Sequence, residues 1–275
     1  GAYEISESGS PNILHNDFFQ SVDDRAVRFD EDYMIPFIEN VAKAIRTINP
    51  RWMVCGEKDA EDATFDRTFP DNLPERFVNA THWYDFAITG TKKVWYPISL
   101  DLLTRRPVLG KRGIRKMYVR QLKRIKDASA LINGGSSTLI GEFGIPFDLK
   151  DGKAYQKWNE GKRGKKVWKK HVLALSLMHD AFDELLLNGT LWNYTAHNRN
   201  DLRIGDGWNQ EDLSIFSEDQ RTEPSDLNSG ARAIHGWCRP FARFIQGKPL
   251  AMKFRRKSGN FTLRFSANPE IEEPT

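Results

Sequence analysis

The sequence predicts an α/β fold in which helices cover a parallel sheet. Four short apolar or β-branched runs read as strands, and segments with helical spacing separate them. Alternation of strand and helix favours parallel pairing, so the four runs are expected to share one sheet. Each run also ends in a polar or aromatic cluster. The four predicted strands are Trp52–Gly56, Phe77–Thr81, Thr138–Ile140 and Thr190–Tyr194.

The segments between these strands supply the helices and the connections. Apolar residues recur every three to four positions in four segments, which is the spacing of an amphipathic helix. Residues 1–30 are polar and are expected to be irregular, and residues 86–112 are expected to be a long connection. Near the C-terminus, two apolar runs around Lys257–Asn260 predict a β-hairpin. The predicted helices are Asp32–Thr47, Gly113–Ile132, Lys165–Leu187 and Ala231–Phe244.

The composition is that of a folded domain and excludes several functional classes. The chain has 275 residues, of which 39% are hydrophobic and 28% charged, enough for a substantial core. A net charge of +4 is too small to indicate a nucleic-acid partner. Cys55 and Cys238 lie too far apart for a metal motif and are expected to be small buried residues. No run of about 18 apolar residues and no signal peptide are visible, so the compartment stays open, with the cytoplasm favoured.

Glu142 is the first candidate for a catalytic group. It ends an apolar run and lies between Gly141 and Gly144, which permit close backbone approach. Carboxyl ends of parallel strands in an α/β barrel carry the catalytic side chains. The alternative is a carboxylate that merely ends a strand and caps the next turn. Four strands make half of an eight-stranded barrel, so the chain forms either a small open sheet or part of a barrel.

Two basic runs, Lys111–Lys126 and Lys162–Lys170, need an explanation of their own. The favoured interpretation is that they form the solvated outer faces of two helices. Contact with an anionic membrane surface is the alternative, and nothing further in the sequence supports it.

Four motifs occur in an order that resembles a known family. They are His82-Trp83-Tyr84-Asp85, Gly141-Glu142-Phe143-Gly144, Trp192-Asn193-Tyr194 and the stretch 205–215, which reads Gly-Asp-Gly-Trp-Asn-Gln-Glu-Asp-Leu-Ser-Ile. Together they resemble glycoside hydrolase family 5, and within it the endoglycoceramidase, glucosylceramidase or steryl-glucosidase-like branch. This resemblance implies a (β/α)8 TIM barrel, of which residues 1–245 supply roughly strands 5–8. Residues 246–275 would begin a β-sandwich.

The resemblance also implies roles for particular residues. Glu142 would be the nucleophile of a retaining β-glycosidase, Tyr84 would donate a hydrogen bond to it, and His82 would approach the sugar. Trp192 would be the platform on which the sugar rests. No metal or organic cofactor is implied. The remaining candidates for substrate binding are Trp83, Glu57, Asp206, Trp208 and Asn209.

Several of these assignments have open alternatives. His82 could be a satisfied histidine in a network of strand ends, and Tyr84 and Trp192 could belong to the core. Glu57 could form a salt bridge with Lys58 or another neighbour instead of reaching substrate. Asp206, Trp208 and Asn209 could shape an Asx-type turn in their loop.

One element of the family pattern is absent. The acid/base of the family is the Glu of an Asn-Glu-Pro motif after the fourth strand, and this sequence has no Asn-Glu-Pro. We therefore expect a complementary N-terminal half-barrel, in the same or a separate chain. The predicted function is hydrolysis of a β-glucoside, one with a lipid aglycone among the candidates. The alternative is a non-catalytic sugar-binding or structural half-barrel.

Overall fold

The protein is described by a computed structural model that covers residues 1–58, 69, 72–203, 205, 211–223, 225–226 and 229–271. Four parallel strands form the central sheet, in the order β10-β9-β6-β5. Chain neighbours therefore lie side by side, as in one section of a barrel wall. These strands are β5 (Val54–Gly56), β6 (Phe77–Asn79), β9 (Ser137–Phe143) and β10 (Asn188–Leu191).

All four sequence-predicted strands are present, with shifted ends. The clearest difference is β9, which runs through Glu142 to Phe143 instead of ending at Ile140. The carboxylate thus belongs to the last residues of the strand, where backbone pairing fixes its position.

Helices connect the strands and cover one face of the sheet. Helix α1 follows a π-helical turn at Asp30–Met34, and α4 contains three residues, 150–152, with left-handed backbone angles. The helices are α1 (Ile35–Ile48), α2 (Phe86–Thr91), α3 (Gly110–Ser129), α4 (Leu149–Asn159), α5 (Lys169–Leu185) and α6 (Ile234–Trp237).

The remaining strands form four antiparallel hairpins. Of these, β1–β2 and β3–β4 lie within residues 1–30, which we expected to be irregular. The pair β7–β8 lies in the long connection 86–112, and β11–β12 is the predicted C-terminal hairpin. The pairs are β1 (Tyr3–Ile5) with β2 (Pro11–Ile13), β3 (Ser21–Val22) with β4 (Arg25–Ala26), β7 (Ile98–Asp101) with β8 (Arg106–Leu109), and β11 (Gly247–Arg255) with β12 (Asn260–Ala267).

The main core lies between the sheet and helices α3 and α5. Met117 and Leu122 on α3 and Leu175 and Met178 on α5 are almost fully buried there, together with Ile140 of β9. This core holds the strand ends that carry the candidate site.

Two further expectations about the fold are wrong. The helix expected at Ala231–Phe244 lasts only from Ile234 to Trp237. Pro240 lacks a backbone N–H and disfavours helix in the residues before it, and Ala233 has a left-handed backbone. Cys55 and Cys238, expected to be buried, are both exposed. Cys55 lies on β5, at an edge of the sheet where no described strand covers it.

Within the described residues, no helix is long and apolar enough to span a bilayer.

Candidate active site

The site residues follow neighbouring strands at one edge of the sheet. His82 and Tyr84 follow β6, Glu142 ends β9, and Trp192 follows β10. The strands are parallel, so their carboxyl ends meet at this edge. Backbone hydrogen bonds fasten the strand ends to each other: the Trp83 amide donates to the Glu142 carbonyl (2.9 Å), and the Trp192 amide donates to the Phe143 carbonyl (2.8 Å).

Two glycines beside Glu142 are required by this close approach. A Cβ at Gly141 would lie 2.1 Å from the Ala80 carbonyl oxygen, and a Cβ at Gly144 would lie 2.3 Å from the Trp192 carbonyl oxygen. Both contacts are to backbone, which cannot swing aside as a flexible side chain can. Glycine is therefore needed at both positions for the three strand ends to approach each other.

The Glu142 carboxylate is contacted from two sides. The Tyr84 hydroxyl donates a hydrogen bond to Oε1 of Glu142. On the other side, His82 Nδ1 lies 3.4 Å from Glu142 Oε2, and His82 Nε2 lies 2.7 Å from Glu57 Oε2. A neutral imidazole has one N–H, so it can donate to only one of these two carboxylates at a time. The side chains thus form a continuous chain from Glu57 through His82 and Glu142 to Tyr84.

Tyr84 stays a hydrogen-bond donor under ordinary conditions. Burial raises the pKa of its hydroxyl, and the hydrogen bond to Glu142 and the negative charges of Glu142 and Glu211 raise it further. The phenol therefore keeps its proton and can hold one carboxylate oxygen of Glu142 in place.

A cleft of about 300 Å³ opens beside the carboxylate. Three predicted site residues line it: Glu142, Tyr84 and Trp192. Sequence reasoning missed the other lining residues. Glu211 belongs to the 205–215 motif, in which the predicted substrate-binding residues were Asp206, Trp208 and Asn209. The missed residues are Phe86, Thr89, Pro146, Glu211 and Leu213.

The prediction that Trp83 binds substrate is wrong. Its side chain has 0% exposure, its indole N–H donates to Gln121 Oε1 (3.1 Å), and its ring packs edge-on against Tyr118. Successive side chains of an extended segment point to opposite faces. His82 and Tyr84 face the site, so Trp83 between them faces the core.

Glu57 lies next to the site and pairs with His82, while Lys58 pairs with Asp30. Of the alternatives for Glu57, the structure shows an interaction with another neighbour, His82, and not the salt bridge with Lys58. Asp206, Trp208 and Asn209 lie outside the described residues.

A buried ion pair anchors the loop that carries Glu211 and Leu213. Arg232 is fully buried, and its Nη1 donates to Asp212 Oδ2 (2.8 Å), while Tyr155 also donates to Asp212. The Asp212 carbonyl accepts from the Phe147 amide (2.6 Å), which ties the loop to the segment after β9. Removing one partner of such a pair leaves an uncompensated buried charge, so the pair fixes this side of the cleft.

Among the described residues, no group of three or more His, Cys, Asp or Glu side chains could hold a metal ion.

Comparison with known proteins confirms the resemblance that the motifs indicate. Residues 239–275 match the family model described as the glycoside hydrolase family 5 C-terminal domain. The chain is 26% identical to a glucosylceramidase from Rhizopus delemar over 96% of its own length, and 27% identical to a glucosylceramidase from Cryptococcus neoformans over 95%. It is also 27% identical to an ergosteryl-β-glucosidase from Saccharomyces cerevisiae over 80% of its length.

Solved structures show the same relationship. A crystal structure of Cryptococcus neoformans sterylglucosidase 1 matches with a TM-score of 0.78 and 28% identity, over 96% of this chain and 39% of that one. The chain spans 41% of the Rhizopus glucosylceramidase and 38% of the Cryptococcus one. It therefore corresponds to part of a longer protein in each of these relatives.

Proposed function

We propose that this chain is the C-terminal half of the barrel of a retaining β-glycosidase that hydrolyses β-glucosides, with Glu142 as nucleophile. The observation that carries the proposal is the hydrogen bond from Tyr84 to Glu142 in a cleft at the carboxyl edge of a parallel sheet. The glucosylceramidases and the ergosteryl-β-glucosidase among its relatives support a glucoside with a lipid aglycone. In this proposal β5, β6, β9 and β10 are the fifth to eighth barrel strands, and a β-sandwich begins at residue 246.

The chemistry assigns a task to each oxygen of Glu142. Tyr84 donates to Oε1, so the other oxygen, Oε2 on the side of His82, would attack the anomeric carbon. Attack forms a glycosyl ester and breaks the glycosidic C–O bond, while a second carboxylic acid protonates the leaving oxygen. Water then attacks the anomeric carbon, the second carboxylate takes the water's proton, and Glu142 is released.

The second carboxyl group would come from a complementary N-terminal half. Retaining glycosidases hold their two carboxyl groups roughly 5–5.5 Å apart, so both halves must meet at this edge of the sheet. The sheet offers edges for such a partner at β5 and β10. Trp192, which lines the cleft, would stack on the apolar face of the sugar and stabilise developing positive charge. His82 would orient Glu142 and approach the sugar.

Covalent labelling tests the assignment of Glu142. The full-length protein is treated with a 2-deoxy-2-fluoro-β-glucosyl fluoride, and its peptides are analysed by mass spectrometry. We expect one adduct on the peptide that contains Glu142, and none in Glu142→Gln. An adduct on another residue, or labelling of the Gln variant, would show that the assignment is wrong.

Two conservative variants refine this test. A hydrogen bond to a charged group contributes about 1.5–3 kcal/mol, so Tyr84→Phe should slow labelling roughly 10- to 150-fold. Tyr194→Phe is the matched control, because Tyr194 is 65% exposed and does not line the cleft. It should label at the unmodified rate. Full-length protein that binds glucosides but is never labelled would favour the alternative, a sugar-binding or structural half-barrel.

A further inference from the structure

A second groove, outside the candidate active site, is strongly basic. It has a volume of about 570 Å³ and an apolar floor that includes Tyr96, Val172 and Leu173. Among the described residues that line it, none is acidic. Within the part of the chain that the structure describes, none of its six Lys and Arg side chains forms an ion pair, so no carboxylate neutralises their charge. These residues, called the basic groove, are Lys111, Lys165, Lys166, Lys169, Lys170 and Arg256.

The basic groove draws on segments that are far apart in the sequence. Lys111 begins α3, Lys169 and Lys170 begin α5, and Arg256 comes from the turn of the C-terminal hairpin. Two separate basic runs and a hairpin therefore meet at one place. If the runs were only the solvated outer faces of two helices, their charges would have no reason to converge. The amino ends of α3 and α5 add positive potential there.

The β7–β8 hairpin beside the groove has an inverted distribution of polarity. Ser99 and Asp101 of β7 are buried, whereas Ile98 and Leu100 are exposed. Opposite them in register stand Leu109 and Pro107, which are also exposed. A solvated hairpin normally turns its apolar side inward. Here the apolar side faces outward, and we call it the apolar face of the hairpin.

Asp101 explains why the hairpin is inverted. Its carboxylate is fully buried and accepts hydrogen bonds from the Thr104 hydroxyl (3.0 Å) and the Gln121 amide (3.2 Å), and Arg120 pairs with it. The hairpin is thus fixed to α3 by its polar side. These contacts hold the apolar face of the hairpin outward.

The apolar face and the basic groove are contiguous. Leu109 is followed directly by Gly110, where α3 begins, and Lys111. Tyr96, just before the hairpin, lines the groove, and Lys170 Nζ lies 5.6 Å from its ring. Trp95 next to it is 47% exposed. Exposed aliphatic side chains, Trp and Tyr, and uncompensated Lys and Arg together have the composition of a bilayer interface site.

We propose that the basic groove and the apolar face of the hairpin form one docking surface for an anionic lipid membrane. The cationic side chains would contact lipid phosphates and carboxylates, and Ile98, Leu100 and Trp95 would enter the interfacial layer. Nucleic acid also carries phosphates, but a polyanion in water would leave the aliphatic side chains exposed. The membrane therefore accounts for both parts of the surface.

Topology places this surface at the end of the sheet that carries the cleft. The connection that leaves the carboxyl end of β6 contains the hairpin and leads into the first turn of α3. The connection that leaves the carboxyl end of β9 leads into the first turn of α5. Helix α3 contacts β6 and β9 through Ser129, and Phe182 of α5 packs on Phe143 of β9 and over Gly189 of β10. A partner strand at edge β5 or β10 would pair with the backbone of that strand and not with the amino ends of α3 and α5. A complementary half-barrel at those edges would leave the surface open.

Vesicle binding tests the proposal with the full-length protein. Sedimentation is measured with vesicles of 30% phosphatidylserine in phosphatidylcholine, and with phosphatidylcholine alone. No glucoside is present, so the result does not depend on the proposed function. We expect binding to the anionic vesicles only, weakened by salt. Lys166→Glu with Lys170→Glu should weaken binding by at least about 25-fold, since each surface Lys contributes roughly fivefold.

Matched controls separate the surface from general charge and hydrophobicity. Lys116→Glu with Lys153→Glu makes the same charge change at exposed positions of α3 and α4 outside the groove and should weaken binding far less. Ile98→Ser with Leu100→Ser should release the protein from anionic vesicles, whereas Leu131→Ser, 66% exposed elsewhere, should not. Brominated lipids should quench the fluorescence of the protein, and less so in Trp95→Phe.

Several results would overturn the proposal. One is that the protein does not bind anionic vesicles. Another is that the groove pair and the control pair of substitutions weaken vesicle binding equally. The third is that RNA displaces the vesicles while the hairpin variants bind them as the unmodified protein does. Circular dichroism of each variant identifies any loss of fold. If the groove pair were misfolded, the single variant Lys170→Gln would decide, because it only neutralises one exposed charge. If another domain covers this surface in the full-length protein, the protein will not bind the vesicles, and that result also counts against the proposal.

Discussion

At the scale of single residues, the environment of Glu142 comes from distant points of the chain. Tyr84 is 58 positions away in sequence and donates directly to its carboxylate. The order of the motifs identified both residues. It did not identify the Glu57–His82 contact, because an exposed acid can pair with any cation within reach. Nor did it place Glu211 in the cleft, since only the folded loop brings that side chain there.

A glycine substitution tests how closely the strand ends must approach. Gly141→Ala would put a Cβ 2.1 Å from the Ala80 carbonyl oxygen. Relieving that clash requires a backbone shift, so we expect a loss of about 1–3 kcal/mol in unfolding free energy. Urea unfolding of the full-length protein measures it. Gly90→Ala in α2 is the control: no atom lies within 4 Å of its Cβ position, so stability should stay the same or rise. Equal effects of both changes would contradict the packing argument.

At the scale of elements, hydrophobic pattern succeeded where an element buries its apolar side. The central strands β6 and β9 and the long helices α3 and α5 follow this rule, and all were predicted with shifted ends. The β7–β8 hairpin breaks it, because buried Asp101 turns the apolar side outward. Pattern reasoning assumes that apolar residues face the core, so it predicted no strands in this long connection.

Helix α5 carries a buried histidine that should make stability depend on pH. His171 Nε2 lies 3.0 Å from the Phe147 carbonyl oxygen, and the ring stacks on Phe147. Burial, with a smaller contribution from the charge of Arg232, lowers the pKa of His171 to about 3, although the hydrogen bond to the Phe147 carbonyl acts in the opposite direction. The unfolded chain binds the proton near pH 6.5, so the folded state loses stability as pH falls below that value.

The magnitude of this effect can be checked directly. Between pH 7.5 and 5.5, His171 should account for a loss of about 1.4 kcal/mol in unfolding free energy. His171→Gln cannot titrate and should lose correspondingly less over the same interval in urea unfolding. Met178→Ala in the same buried helix face is the control, since it lowers stability at both pH values alike. An unchanged pH dependence in His171→Gln would show that this histidine is not the titrating group.

At the scale of the whole molecule, the exposed surface supports the complementary half-barrel. Large apolar side chains near β5 are exposed, among them Phe37 at 64%, Ile48 at 75% and Met53 at 65%. Exposed apolar side chains in such numbers are typical of a surface that another segment covers. Together with the share of each relative that the chain spans, they are consistent with the proposed half-barrel packing against β5 and α1.

The thiol of Cys55 reports on that packing. Cys55 lies on β5 and is exposed. In a Cys238→Ser background we expect N-ethylmaleimide to label Cys55 readily in this chain alone and much more slowly in the full-length protein. Mass spectrometry over time gives both rates, and labelling in urea gives the rate of the unprotected thiol. Equal rates in the chain and the full-length protein would contradict a partner at the β5 edge.

The sequence by itself determined the alternation of strands and helices and the polar clusters at the strand ends. It also pointed to Glu142, Tyr84, His82 and Trp192, because local periodicity and short motifs are properties of neighbouring residues. Only the tertiary structure decided that Trp83 faces the core, that Glu211 lines the cleft and that Asp212 pairs with Arg232. It also brought two basic runs and an inverted hairpin to one surface. These outcomes depend on strand register and on contacts between distant segments, which no local pattern encodes.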